Sequence, residues 1–352
     1  MKRMVVVKLS VLLFIVISPA SQPSSPDSTL PGMFVATSPC DAVSRSLLKI
    51  PETADCELIK WDLKLHHDPG TRASDRYELN YVYGLPRQGT NGVTQGGVRV
   101  ERKGKWTAVR STKAIPDAVV YRLDPDKPQD SVSFQVIDDN LLHLLDRDDG
   151  LMPGNAAWSY TLSRIGTPDR RSPNTAVFPA SRVTTGSTTS PALPVIGDSP
   201  VLGVFVGRSP CRDLATELNK PVSDDCTKLK WELTLYRDPG NDIPTTYKLK
   251  GTLYRERAGE GRWVIVKGTK TDPDAVVYQL NLNNPQGALL LLKADDNILF
   301  FLDGEGNPMA GNGDFSYTLN RTNDVRRDVE GPSNALHKSG MPGRVDRSIP
   351  AP

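Results

Sequence analysis

The chain has 352 residues, with 43 basic and 41 acidic side chains and a net charge of +2. That near-balance removes the long-range field that a general nucleic-acid binder uses, so no nucleic-acid partner is expected. An apolar fraction of 38%, with 29 Pro and 28 Gly, suits turn-rich β domains or long linkers, and the length favours two domains.

The N-terminus reads as an export signal. Lys2, Arg3 and Lys8 are basic, residues 9–17 are apolar except for Ser10, and Ser18-Pro19-Ala20 offers small residues for cleavage after Ala20. The apolar stretch is shorter than the roughly 20 residues that cross a bilayer. No cysteine follows it before Cys40, so residues 1–20 are expected to direct a soluble exported protein, periplasmic or extracellular, with no lipid anchor and no stable membrane span. Residues 21–30 are expected to be disordered.

Two copies of one pattern follow. Gly32, Phe34, Val35 and Ser38-Pro39-Cys40 return as Gly203, Phe205, Val206 and Ser209-Pro210-Cys211, 171 positions on. Trp61 returns as Trp231 at 170 positions and Trp106 as Trp263 at 157, so copy one carries 13 extra residues. They fall in or near the Gly-rich stretch between Gly84 and Gly97, which reads as an enlarged hairpin loop. From there the offset holds: Asp117-Ala118-Val119-Val120-Tyr121 with Asp274-Ala275-Val276-Val277-Tyr278, and Ser159-Tyr160-Thr161-Leu162 with Ser316-Tyr317-Thr318-Leu319. Such order and spacing over many blocks defines a tandem repeat.

Within each copy, residues 33–37 and 204–206 predict a short first strand. Ser38 and Ser209 are suitable helix N-caps with Pro39 and Pro210 at the first helical position, which predicts short helices over 40–49 and 211–219. Trp61, Leu63 and Leu65 alternate with polar residues, as do Trp231, Leu233 and Leu235, the period of a half-buried strand. Further alternating runs and Asp-Asn turns predict seven or eight strands per copy. The expected fold is mainly β: two tandem small antiparallel β-barrels, lipocalin-like or half-barrel, each with one short N-terminal helix, over residues 31–164 and 201–321. Residues 165–200, rich in Pro, Ser and Thr, read as a linker, and 322–352 as a disordered tail.

The four cysteines, Cys40, Cys56, Cys211 and Cys226, come two per copy, and in an exported chain such a set reads as disulfides, most simply paired within each copy. The rival reading makes the same four residues a thiolate metal site. His66-His67 has Tyr236-Arg237 as its counterpart, and adjacent strand residues point to opposite faces, so the pair does not favour a shared metal. His143 aligns with Phe300 and reads as a packed or surface histidine. Asp138-Asp139 and Asp295-Asp296 read as turns rather than paired catalytic carboxyls. The five tryptophans, with Trp158 opposite Phe315, read as core, and Lys113 and Lys270 as strand-edge residues that suit an anionic ligand equally well. No nucleophile-elbow, zinc-protease or phosphate-loop motif occurs and no His is common to both copies, so neither an enzyme nor a cofactor is expected.

The end of each copy carries a family resemblance. Leu302-Asp303, Gly306-Asn307-Pro308 and Tyr317-Thr318-Leu319, with Leu145-Asp146 and Tyr160-Thr161-Leu162 in copy one, resemble the closing signature of the NlpE N-terminal domain family of copper-resistance or envelope-stress lipoproteins. The front, a Pro-Cys, a second Cys and the strand at Trp61 or Trp231, is similar too. The resemblance implies a lipocalin-like barrel outside the cytoplasm with a non-enzymatic sensing or binding role. Two features depart from that family: a wide cysteine spacing in place of Cys-x-x-Cys, and no lipoprotein cysteine. The expected function is an exported binding, envelope-stress or copper-homeostasis-related protein whose partner is a small ligand or an envelope protein. The alternatives are a lipocalin-like carrier of a small hydrophobic or anionic ligand, and a thiolate metal buffer.

Overall fold

Alternation along each strand sends every second side chain inward, and a sheet that must bury one face without leaving edges can close on itself. The computed structural model describes residues 32–68, 70–71, 73–111, 118–166, 200–218, 220–281 and 288–322. The export signal at 1–20, residues 21–30, nearly all of the linker and tail, Lys113 and His337 lie outside the described residues. Each copy forms a closed eight-stranded antiparallel barrel. The first runs β1 (Gly32–Pro39), α1 (Ala42–Leu48), β2 (Leu58–His67), β3 (Ser74–Gly84), β4 (Val98–Arg110), β5 (Val119–Leu123), β6 (Val132–Asp138), β7 (Leu141–Leu144) and β8 (Thr161–Ile165). The second repeats it as β9 (Val201–Pro210), α2 (Arg212–Glu217), β10 (Lys228–Arg237), β11 (Pro244–Gly251), β12 (Gly259–Lys267), β13 (Val276–Asn281), β14 (Ala288–Lys293), β15 (Ile298–Phe301) and β16 (Thr318–Thr322). Closure comes from β8 returning to β1 (Phe34 opposite Arg164) and β16 to β9 (Phe205 opposite Arg321).

The short helices form, but not with the caps read from the sequence. Ser38 and Pro39 remain in β1, and Ser209 and Pro210 in β9. The two serine hydroxyls instead accept the indole N–H of Trp61 (2.8 Å) and of Trp231 (2.9 Å). A buried indole needs that partner, and the adjacent strand supplies it where a helix cap would have spent the hydroxyl on backbone. Asp41 caps α1 in a reciprocal box with Ser44; Cys211 stands at the N-cap of α2 without a side-chain cap. A proline at a strand's last residue removes no interior ladder bond.

The barrel interiors are packed. Leu63, Leu79, Leu123, Phe134 and Leu162 are fully buried, and Trp61 meets Phe134 edge-on at 6.2 Å. Trp106 and Trp263 donate to the carbonyls of His66 and Tyr236, a matched pair. Trp158 departs from the core slot expected of it and is half-buried, while its counterpart Phe315 is buried with the Lys228 ammonium 5.5 Å from its ring. Disulfides join Cys40 to Cys56 and Cys211 to Cys226, tying each helix to the start of β2 or β10.

The barrels pack against each other through equivalent residues. Ser159 Oγ meets Ser316 Oγ at 2.5 Å and Thr161 Oγ1 meets Thr318 Oγ1 at 2.9 Å. Gly154 N donates to Asn320 Oδ1 (2.7 Å), and Gly311 N to Ser163 Oγ (2.8 Å), the same contact with the copies exchanged. Val120, Leu145, Leu151, Ile298 and Phe300 form a small apolar cluster beside this seam. It is a two-fold contact between repeats, of the self-complementary kind that joins symmetric dimers. Asn320 and Ser163 are fully buried, so separation would strand their polar atoms unless water enters.

Replacing both Cys40 and Cys56 with Ala is expected to cost about 3 kcal/mol, the loop-closure value for a bridge of this span, read as a lower urea midpoint. An unchanged midpoint would show that chain closure is not what the bridge contributes. Ser159→Arg drives a long cation into the seam and is expected to enlarge the radius of gyration in small-angle scattering while far-ultraviolet circular dichroism is kept; an unchanged radius would contradict the seam.

Candidate functional site

The two copies differ most where copy one is longer, and a cleft lies there. In barrel one, β3 runs on to Gly84, so Tyr77, Tyr81 and Tyr83 all face inward and are buried. The Gly-rich insertion then leads into β4, which sends Val100 and Arg102 inward. Gly97 must be glycine: its φ is +68°, and a Cβ there would lie 2.7 Å from the Tyr83 carbonyl. The three tyrosines, Val100 and Arg102, with Leu48, Lys49 and Ile50 at and just after the end of α1 and Asp124, Lys127 and Asp130 after β5, line a cleft of about 520 Å³ at the barrel mouth.

Barrel two spends the same corner on its own chain. By strand register Gly251 stands where Tyr81 does, opposite Trp231 as Tyr81 is opposite Trp61. Gly259 stands where Arg102 does, opposite Leu249 as Arg102 is opposite Leu79. β11 stops at Gly251, and a single 3-10 turn over Thr252–Tyr254 folds Leu253 and Tyr254 against the barrel-two core. The Tyr254 ring lies where a Cβ on Gly259 would be, 2.9 Å from Cε1. The shorter connection thus plugs with a tyrosine the corner that the longer one leaves open.

The cleft combines an aromatic wall with fixed charge. Tyr81 and Tyr83 stack with centroids 6.5 Å apart. Arg102 Nη2 donates to Asp124 Oδ2 (3.1 Å) and to the Asp130 carbonyl (2.6 Å), and the Tyr77 hydroxyl donates to Asp124 Oδ2 (2.5 Å). Gly104 leaves room for that carboxylate, since a Cβ there would meet Asp124 Oδ1 at 2.1 Å. Tyr81 donates to the Leu48 carbonyl (2.9 Å). Burial raises the pKa of Tyr77 and Tyr81, and for Tyr77 the bond to Asp124 adds to it, so both stay neutral donors. Lys49 is paired with Asp130, whose pKa this lowers.

The residues singled out in the sequence are dispersed. Cys40, Cys56, Cys211 and Cys226, the candidate metal ligands, are all in disulfides, and a disulfide sulfur is not a thiolate ligand. His66 Nε2 faces Glu78 at 3.4 Å, whereas the His67 ring meets Trp106. Asp138 and Asp295 form matched turns, accepting from the N–H groups of Asn140 and Asn297. Burial raises the carboxyl of Asp138 to about 6 and also raises Asp295. Lys270 pairs with Glu305 at 3.3 Å. His143 is fully buried at the inter-barrel seam, between the Thr161 hydroxyl, the Met152 carbonyl and the ring of its own counterpart Phe300. Among the described residues no group of three or more His, Cys, Asp or Glu is placed to hold a metal ion, and no helix is long and apolar enough to cross a membrane.

The signature residues have structural work to do. Asp146 Oδ1 accepts from the N–H groups of Asp148 and Gly150, and Asp303 Oδ1 from those of Glu305 and Asn307, closing equivalent turns. Tyr160 and Tyr317 bond to Pro39 O and Asp213 near each helix start, and the neighbouring Ser and Thr build the seam. No family model, no curated protein and no solved structure matches the chain.

Burial lowers the His143 pKa to about 4, from the ordinary 6.5. Below about pH 6.5 the unfolded chain takes up a proton that the folded one refuses, so His143 removes stability as pH falls towards 4. Asp138, raised in the folded state, acts the opposite way over part of that window. His143→Phe, the copy-two residue, isolates the histidine: relative to wild type the variant should gain about 3 kcal/mol between pH 7 and pH 4. Parallel stability curves for the two proteins would contradict the buried neutral imidazole.

Proposed function

We propose that this chain is an exported, non-enzymatic binding protein that holds one small ligand in the mouth of its first barrel, with the second barrel as its rigid structural partner. The observation that carries this reading is the cleft itself, which lies where copy one departs from copy two and is lined by Tyr81, Tyr83 and Arg102. The repeat accounts for what the copies have in common; the opening of about 520 Å³ in copy one is within the range of small-molecule sites. The two disulfides suit an oxidising compartment, in line with the N-terminal export pattern. The resemblance to envelope lipoprotein domains points to the same location and to binding rather than chemistry.

A carrier with its ligand sealed deep inside a barrel fits less well, because Trp61, Phe134 and their neighbours fill the interior. With all four cysteines paired, the thiolate metal buffer has no ligands to act through. The ligand of this reading is one that seats at the rim against the tyrosines that line it.

A fluorescence titration with the neutral probe N-phenyl-1-naphthylamine is expected to saturate at one molecule per chain. Tyr83→Ala removes half of the stacked pair and should weaken binding about tenfold, the scale of one aromatic contact. Tyr254→Ala, in barrel two, should leave the affinity of that site unchanged. No saturable binding, or equal affinity in the Tyr83 variant, would overturn the assignment.

A further inference from the structure

We infer that the ligand of the barrel-one cleft is a small aromatic or flat apolar molecule carrying a single negative charge, a carboxylate in the simplest case. This rests on the reading of the cleft as the binding site. The argument comes from the polar groups left over after the cleft has satisfied itself.

Arg102 uses only Nη2 in its bonds to Asp124 and Asp130. Among the described residues no hydrogen bond from Nε or Nη1 to a carboxylate or carbonyl is formed, the guanidinium also lies beside the Tyr77 hydroxyl, and the side chain keeps 19% of its surface exposed where it lines the cleft. A guanidinium edge of that kind is the preferred partner of a planar carboxylate. Asp124 does not compete for it, because it is already engaged by Nη2 and by the Tyr77 hydroxyl. The Tyr83 hydroxyl makes no hydrogen bond among the described residues and adds a donor to the lining.

The charge count agrees. The cleft is lined by Lys49, Arg102, Lys103 and Lys127 against Glu101, Asp124 and Asp130. Lys49 pairs with Asp130, Lys103 with Glu101 and Arg102 with Asp124, and Lys127, whose charge also acts on Asp130, makes no ion pair of its own among the described residues, so the lining carries one positive charge in excess. One negative charge completes the balance. Tyr81 and Tyr83, largely buried, form the aromatic part of the lining against which the rest of the ligand lies. Barrel two removes both halves of this recognition together, with Gly259 for Arg102 and Gly251 for Tyr81.

The test compares two probes of one shape, naphthalene-2-carboxylate and naphthalene-2-carboxamide, as competitors of N-phenyl-1-naphthylamine on the full chain. The carboxylate should bind about tenfold tighter at low salt, and the preference should shrink as salt screens the rim charge. Arg102→Gln should bring the two probes to equal affinity while the carboxamide still binds. Lys127→Gln, on the exposed rim where folding is not at stake, should reduce the preference two- to threefold by removing long-range attraction. Equal affinities in wild type, or a full preference surviving in both variants, would overturn the anionic assignment and leave the cleft reading standing, provided the neutral probe still saturates. If no probe binds, both readings fall.

Discussion

Closure is the constraint from which this architecture follows. A first strand with two unpaired edges would be a template for association; here β1 is paired by β2 on one side and by β8 on the other, and β9 is paired the same way by β10 and β16. The closing strands are short, five residues each, and have to hold by more than their ladder. Tyrosines at their starts reach across to the other end of the first strand or helix, and the hydroxyl residues beside them carry the contact between barrels. The segment that completes each barrel is therefore also the segment that joins the two.

That double use accounts for the letter-for-letter repetition of the Ser-Tyr-Thr-Leu ending. In a two-fold contact residues near the axis meet their own equivalents and every other contact occurs twice with the copies exchanged, so a change in one copy is felt by the other. Ser opposite Ser and Thr opposite Thr can bond to each other because a hydroxyl both donates and accepts. Where the symmetry breaks, the break has a partner: His143 lies against Phe300, and the copy-one insertion reaches across with Asn91 to Asp314, which Lys60 also engages. The long loop consequently has two effects. It lengthens β3 and leaves the mouth of barrel one open, and it fastens barrel one to barrel two.

The division of labour between the copies follows from one local choice. A connection of minimal length must turn at Gly251, with φ of +142° and no space for a Cβ beside the Lys230 carbonyl, and it drops Tyr254 into the corner. With 13 more residues the turn is made farther out and that corner is left to Tyr81, Tyr83 and Arg102. Loop closure grows slowly with length, so such an insertion costs little stability while it exposes a new surface.

The amino-acid sequence by itself determined the tandem repeat, the mainly β class and the number of strands to within one, because period-two alternation and exact repetition are local signals that survive without coordinates. It also placed the cysteines in pairs within each copy. It did not reveal that Ser38 and Ser209 serve an indole rather than a helix, since a capping serine and a strand serine look alike until the residue across the sheet is known. Nor did it reveal the cleft. Tyr81 and Tyr83 belong to an ordinary alternating run and Arg102 to a charged one, and their meeting depends on the register between β3 and β4. The seam was equally hidden: Ser, Thr and Gly carry no hydrophobic signature, and their contacts join residues about 150 positions apart. Pattern fixes which face of each strand points inward. Only the closed tertiary structure decides which inward faces find partners and which are left open to a ligand.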